Sequence, residues 1–390
     1  MAVVQLRKGC HGRIREGHPW IYGNEILEVN GHYRPGDVVD IVDFRGGFLG
    51  RGYINPASQI TVRVLTRAKE PIDEAFFRKR LLRAYRYRQE ILPGETSYRL
   101  VFGEADEIPG LIVDRFSDYL VIQTLALGID VWKDTIVKLL DEIVSPRGMY
   151  ERNDAPVREL EGLEQRAGFI GEPFDPIVKI TENGIPFLVD LQNGQKTGHF
   201  LDQRENRKVV MELGSGRRVL DCFCHTGGFS VHAAVGGAAA VEGIDISEAA
   251  VDMARANAEL NGVSRLCRFT VANAFDELRT RERRGEEYDM VILDPPAFAK
   301  SRAALEGATR GYKEINLRAI KLLKPEGILV TCSCSKHLTE DLLISVVREA
   351  ASDAGRTLRF IEKRTQAKDH PFLLAAQESY YLKCLVLQVL

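Results

Sequence analysis

From about residue 185 onward, short apolar runs alternate with helix-forming segments, and no other feature limits the fold of this chain so strongly. The runs are Arg218-Val219-Leu220-Asp221, Ala240 to Asp245, Arg268 to Val271, Met290 to Leu293 and Gly327 to Thr331. Gly228 to Ala234 opens a helix after the first run. Ser247 caps another after the second, which continues to Leu260 and stops at Asn261-Gly262. Strands separated by helices cannot close as hairpins, so the crossovers bring them together in parallel with helices on both faces. Ligands of such sheets bind beyond the carboxyl ends of the strands. The residues that end each run are therefore where chemistry is to be sought.

The preceding part of the chain has a different rhythm. Over residues 1–70 the runs Val38 to Val42, Phe48 to Gly50 and Ile60 to Leu65 are separated by Pro35-Gly36, Gly46-Gly47 and Asn55-Pro56 turns, as in a small barrel-like module. Residues 71–184 mix a helix over Asp73 to Ile91, strands at Gly110 to Val113 and Tyr119 to Gln123, and a second helix near Asp130 to Ile143, which reads as an α+β domain. The third segment, 185–390, is the alternating one. A net charge of −2 supplies no global field for nucleic acid, so any such contact is local. The run Arg78-Lys79-Arg80 with Arg83, Arg86 and Arg88 is one place for phosphate contacts, and a solvated helix face is the plainer reading. The start of the chain has no apolar leader, no run of 18 apolar residues occurs, and the seven cysteines form no disulfide framework. A cytoplasmic location without membrane contact is expected.

The first alternating strand ends in Leu220-Asp221-Cys222-Phe223-Cys224-His225-Thr226-Gly227-Gly228-Phe229. Its two glycines allow close approach of backbone to a ligand, but the pattern is not the G-x-G-x-x-G of dinucleotide sites, which argues against a dehydrogenase. Asp245 ends the next strand, about 20 residues on, where a carboxylate can take both hydroxyls of a ribose, with Ile246 beside it. Asn273 and Ala274 follow the third strand, where Asn273 can accept from an adenine amine through its carbonyl oxygen. Upstream, Lys196, Phe200 and Arg204 are further candidate contacts. Asp202 and Glu205 read instead as a helix start. The set suits S-adenosylmethionine or a nucleotide.

Asp294-Pro295-Pro296-Ala297-Phe298 ends the fourth strand and Thr331-Cys332-Ser333-Cys334-Ser335 the fifth. An acid before two prolines can hold the Watson–Crick edge of an amine-bearing base, with Phe298 placed to stack on it. Cytosine C5 is too weak a nucleophile to take a methyl group until a thiolate has added to C6. Cys334, nearer the carboxyl end of its strand than Cys332, is the expected nucleophile. The two lie at i and i+2, so an extended chain points both the same way. Lys336 and His337 are the nearest groups in sequence that can lower a thiol pKa from its usual value near 8.5. The Cys-x-Cys spacings are not those of zinc knuckles, and no metal is expected.

These residues resemble the class I methyltransferases with an N-terminal PUA domain that form 5-methylcytidine in bacterial large-subunit ribosomal RNA. The similar stretches are Gly17-His18-Pro19-Trp20-Ile21, Lys196 to Arg204, Thr226-Gly227-Gly228-Phe229, Asp294 to Phe298, Arg310-Gly311-Tyr312-Lys313-Glu314-Ile315-Asn316 and Ser333-Cys334-Ser335. The resemblance implies a PUA β-barrel, a central α+β domain and a Rossmann-like methyltransferase domain, acting on 23S rRNA and often a homodimer. It implies Cys334 and Asp294 as catalytic groups. The cofactor would be S-adenosylmethionine, held by Phe200, Arg204, Asp221, Phe223, His225, Thr226, Gly227, Gly228, Asp245, Ile246, Asn273, Ala274 and Asp294. Pro295, Pro296, Phe298 and Lys313 would meet the substrate. Asn273 stands where relatives often carry Asp, and Cys332 is an extra thiol that related enzymes with a Thr-Cys motif would favour. Two other readings stay open: methylation of a guanine nitrogen on the same fold, and a non-catalytic RNA-binding assembly factor.

Overall fold

A computed structural model describes residues 1–299 and 301–390. The chain forms two compact units. One comprises residues 1–181, 189–201 and 368–379, and the other 182–188, 202–367 and 380–390.

The first unit carries two sheets. Six strands between Val3 and Thr66 form one; Val3–Leu6 lies parallel to Val38–Val42 and the remaining pairs are antiparallel. Five strands between Ser97 and Ile170 form the other, backed by helices Glu74–Ile91 and Lys133–Val144. Asp73 caps the first of these by accepting the Phe76 N–H. The basic run on that helix is largely engaged within the protein. Arg78 pairs with Glu74 and Glu142, Arg80 and Arg83 with Glu107, and buried Arg88 with Asp106. Arginines committed in this way have less to offer a phosphate, in keeping with the plainer reading of the run.

The second unit is a seven-stranded sheet. Its strands in chain order are β1 (Arg218–Cys222), β2 (Ala240–Asp245), β3 (Cys267–Val271), β4 (Tyr288–Leu293), β5 (Leu323–Ser333), β6 (Leu358–Thr365) and β7 (Lys383–Val389). They lie in the order 3-2-1-4-5-7-6. The first five pair in parallel, and β7 runs antiparallel to both β5 and β6. The helices are α1 (Arg204–Leu213), α2 (Gly228–Val235), α3 (Glu248–Leu260), α4 (Ala274–Arg283), α5 (Leu305–Leu322) and α6 (Glu340–Asp353).

Alternation along the strands divides the core in two. Val219, Met290, Ile292, Val330 and Cys332 pack with Val210 of α1 and Phe229 of α2. Leu220, Val291, Leu293 and Leu329 pack with Leu278 of α4, Ile315 of α5 and Leu343 of α6. Burial on both faces explains why β4 and β5 read as unbroken apolar runs. Each fully buried aliphatic side chain contributes about 1.5–3 kcal/mol. Among the described residues no helix is long and apolar enough to cross a membrane.

Candidate active site

In the order 3-2-1-4-5-7-6 the sequence of crossovers reverses between β1 and β4, which opens a crevice at their carboxyl ends. The loop leaving β1 is wound tightly there. Phe223, His225 and Gly227 all take left-handed backbone angles, with φ of +66°, +48° and +80°. For the two non-glycine residues this costs about 1–2 kcal/mol each. Fixed partners hold the winding: Cys224 N–H donates to the Ile244 carbonyl at 2.9 Å. His225 N–H donates to Asp245 Oδ2 at 2.9 Å, and Asn257 Nδ2 to the Thr226 carbonyl at 3.0 Å.

Gly228 is required for a reason the sequence does not display. A Cβ there would lie 2.6 Å from Arg207 Nε. That guanidinium is buried and held through Nη1 at 2.8 and 3.0 Å from the two carboxylate oxygens of Glu182. The glycine makes room for an internal ion pair as well as for a close turn.

Three acids end strands around this loop. Asp221 is fully buried; Oδ2 accepts the Ser230 hydroxyl at 2.6 Å, and Oδ1 has no partner among the described residues. Burial, reinforced by the nearby charge of Asp294, raises its carboxyl to about 7. Asp245 accepts His225 N–H on one oxygen and Ser247 N–H, at 3.0 Å, on the other. Each oxygen keeps a lone pair for a ligand hydroxyl. Ile246 beside it is 72% exposed and offers an apolar surface. Asn273 caps α4, its Oδ1 accepting the Phe275 N–H at 2.9 Å, so the oxygen expected to face adenine already has one donor. Ala274, at the start of that helix, is buried.

Upstream, Arg204 is buried at the start of α1 and its carbonyl accepts Asn183 Nδ2. Asp202 does not cap that helix: Gln203 is the N-cap residue, and Asp202 Oδ2 takes the Tyr381 hydroxyl at 2.5 Å. Phe200 belongs to the first unit, where the Lys196 ammonium stands 4.8 Å from its ring centre. An unpartnered buried carboxylate oxygen, a carboxylate with two open lone pairs and an exposed apolar side chain together fit an adenosyl ligand with a polar tail.

Across the crevice, Asp294 Oδ1 accepts Gln203 Nε2 at 2.9 Å. Pro295 is buried and Pro296 exposed. Phe298 lies within an aromatic cluster, 4.7 Å from the Tyr312 ring centre and 5.8 Å from that of Phe275. It also lines a cavity of about 500 Å³ with Ala304, Gly307, Ala308 and Arg310. Lys313, expected to meet substrate, is turned to α6, with Nζ 2.9 Å from Asp353 and 3.5 Å from Glu349.

Beyond β5 the two thiols part company. Cys332 faces the α1–α2 core with no exposed surface and stands opposite Cys384 of β7. Its hydrogen bond to Cys384, together with burial, keeps the thiol well above its ordinary pKa. Cys334 follows the last residue of the strand and is partly exposed. The pleat that would align the pair ends between them.

A polar network that sequence reasoning did not anticipate surrounds Cys334. Ser333 Oγ donates to Tyr312 Oη at 2.9 Å, and Tyr312 Oη lies 3.2 Å from Ser335 Oγ. Ser335 N–H donates to Ser333 Oγ at 3.2 Å, and Ala299 N–H to Ser335 Oγ at 3.4 Å, joining the proline loop to this turn. Burial moves Tyr312 up to about 12, so it remains a neutral phenol. Lys383, 2% exposed at the start of β7, donates to the Ser335 carbonyl at 2.8 Å and the Tyr381 carbonyl at 3.0 Å. The signal for Lys383 was a single lysine before Cys384-Leu385-Val386-Leu387, a run otherwise suited to a buried strand. Lys336, one of the two groups expected to assist the thiol, is exposed. Among the described residues no group of three or more His, Cys, Asp and Glu is placed to hold a metal.

Comparison with known proteins agrees with this architecture. Residues 165–387 match the family model described as S-adenosylmethionine-dependent methyltransferase, and residues 4–67 match that of a PUA-like domain. A ribosomal RNA large subunit methyltransferase I from Tolumonas auensis is 44% identical, with 100% of this chain and 99% of the relative covered. The protein of the same name from Klebsiella pneumoniae is 42% identical, covering 97% and 96%. A solved Streptococcus mutans chain assigned as a SAM-dependent methyltransferase superposes over the whole of both chains with a TM-score of 0.86 at 21% identity, a likeness of fold. The chain thus belongs to the S-adenosylmethionine-dependent methyltransferases with an N-terminal PUA-like domain, the family of ribosomal RNA large subunit methyltransferase I.

Proposed function

We propose that this enzyme methylates C5 of a cytidine in large-subunit ribosomal RNA through a transient bond between Cys334 and C6. One observation carries the reading: a partly exposed cysteine follows β5 in a turn hydrogen-bonded to the Asp294-Pro295-Pro296 loop, while its neighbour Cys332 is sealed in the core. A methyl acceptor that is a ring nitrogen has no use for a thiol in that position.

In this reading Asp221, Phe223, His225, Thr226, Gly227, Gly228, Asp245, Ile246, Asn273 and Ala274 hold the cofactor. S-adenosylmethionine supplies there an electrophilic methyl group on a sulfonium. Asp294, steadied by Gln203, holds N3 of the cytosine and hydrogen-bonds or protonates it, while Pro295, Pro296 and Phe298 shape the base pocket. The Cys334 thiolate forms a bond to C6, and the electron pair of the C5–C6 double bond makes C5 enamine-like. Once C5 carries the methyl group, its proton passes to a base. The returning electron pair restores the double bond and expels the sulfur of Cys334. The PUA-like module over 1–70 and the domain over 71–184 grip the 23S rRNA, and the place of action is the cytoplasm. A homodimer is expected and is read by sedimentation of the free enzyme.

The test is to incubate wild type and Cys334→Ala with labelled cofactor and deproteinised large-subunit rRNA, then identify the modified nucleoside by mass spectrometry. Wild type is expected to form 5-methylcytidine and the variant none. Full product from Cys334→Ala would remove the nucleophile, and methylguanosine from wild type would replace the cytosine reading with the guanine one.

A further inference from the structure

Lys383 is a buried cation without a carboxylate. Its side chain is enclosed at the first position of β7, opposite Ser333, and no ion pair to it occurs among the described residues. Buried lysines are rare unless paired, because desolvation of an ammonium is costly. Two of its three protons go to the carbonyls of Ser335 and Tyr381. The first of those carbonyls belongs to the residue that follows Cys334.

We propose that Lys383 is a positioning residue for Cys334: its ammonium fixes the turn that carries the sulfur and is the counter-ion of the thiolate. The inference rests on the reading of Cys334 as nucleophile and adds the group that ionises it. Burial moves Lys383 down to about 8, and a negative charge on Cys334 works against that fall, which places ammonium and sulfur within each other's field. At pH 7 most of the lysine remains protonated. The other charge felt by Lys383 is that of Glu340, at the start of α6, which is already engaged by Lys363 and the Tyr380 hydroxyl. On the α5 side stands neutral Tyr312, which feels the charges of both Cys334 and Asp294. Lys336 and His337 follow in the chain. Among these groups Lys383 alone is a buried cation bonded to the carbonyl of the residue that follows the cysteine. As the sulfur adds to C6 its charge passes to the base. The ammonium then stands beside a neutral thioether, which favours later departure of the sulfur as thiolate.

The experiment reads ionisation of Cys334 directly, without RNA or cofactor. Wild type, Lys383→Met and Lys383→Arg are alkylated with iodoacetamide from pH 5 to 10, and the Cys334 peptide is followed by mass spectrometry. Wild type is expected to show a midpoint below the ordinary thiol value of about 8.5. Lys383→Met is expected to raise that midpoint by at least about one unit, seen as roughly tenfold slower alkylation at pH 7. Lys383→Arg is expected to recover a large part of the shift. Circular dichroism establishes that each variant is folded. If Lys383→Met does not fold, the wild-type midpoint alone decides, and a value at or above 8.5 overturns the proposal. An unchanged midpoint in a folded Lys383→Met also overturns it, even if Cys334→Ala abolishes 5-methylcytidine and the nucleophile reading stands. A midpoint that depends on Lys383 supports the pair even if the product proves not to be 5-methylcytidine.

Discussion

Replacing Asp221 with Asn is expected to change the slope of stability against pH. The folded protein holds this carboxyl at about 7, against 3.8 for the free side chain, so the folded state binds the proton more tightly than the unfolded chain. The sign follows from that difference. Stability from this group is fully present below about pH 4, declines as pH rises, and is lost once pH passes 7. A gap of about 3 units corresponds to at most about 4 kcal/mol. Asparagine keeps an acceptor for the Ser230 hydroxyl but cannot ionise. Its amide N–H group, placed where Oδ1 has no partner, adds a cost of about 1–3 kcal/mol that does not vary with pH. The quantity to measure is therefore the difference between Asp221→Asn and wild type in urea unfolding of the cofactor-free protein at pH 5 and pH 8. That difference is expected to move by some 2–4 kcal/mol in favour of the variant on going to pH 8. Parallel curves for the two proteins would refute the reasoning, because they would mean that the carboxylate ionises without a desolvation penalty.

Gly228→Ala is expected to weaken cofactor binding and to lower stability by about 1–3 kcal/mol, since the new methyl group meets a guanidinium that Glu182 holds in place; calorimetry and thermal unfolding check both. Tyr312→Phe removes the hydroxyl between Ser333 and Ser335 and is expected to cost about 1–2 kcal/mol, with kcat falling more than KM for RNA rises, as steady-state kinetics would show. Lys313→Ala is expected to leave RNA methylation unchanged, because the ammonium it removes is directed at α6; a marked rise in KM for RNA would restore it as a substrate contact. Cys332→Ala is expected to keep most of the activity while lowering stability by about 1 kcal/mol, and loss of product from that variant alone would move the nucleophile.

The parallel half of the sheet was legible because its strands carry the alternation and end in residues with few other uses. Val38–Val42, β2 and the helix capped by Ser247 fall where the patterns put them. Less visible was what depends on packing between distant segments. Neither β6 nor β7 was read; in β6, Leu358-Arg359-Phe360-Ile361-Glu362-Lys363 mixes charge with apolar residues, as an edge strand does. With β7 unread, the single lysine that opens its apolar run went unremarked. The pairing of Cys332 with Cys384, like the ion pair that excludes a side chain at Gly228, lies between residues 25 or more positions apart. Asp202 and Glu205 follow the spacing of a capping box, yet the N-cap position falls at Gln203 and Asp202 takes the Tyr381 hydroxyl from far along the chain. Local patterns name the residues that end strands; long-range contacts decide which of them are acidic, charged or enclosed.

The reversed strand β7 lies between β5 and β6, although every other strand of its sheet is synthesised before it. β5 and β6 both pair with β7 and not with each other, so this half of the sheet closes only when residues 383–389 are in place. The turn that carries Cys334 shares this dependence, because the lysine bonded to its Ser335 carbonyl is the first residue of β7.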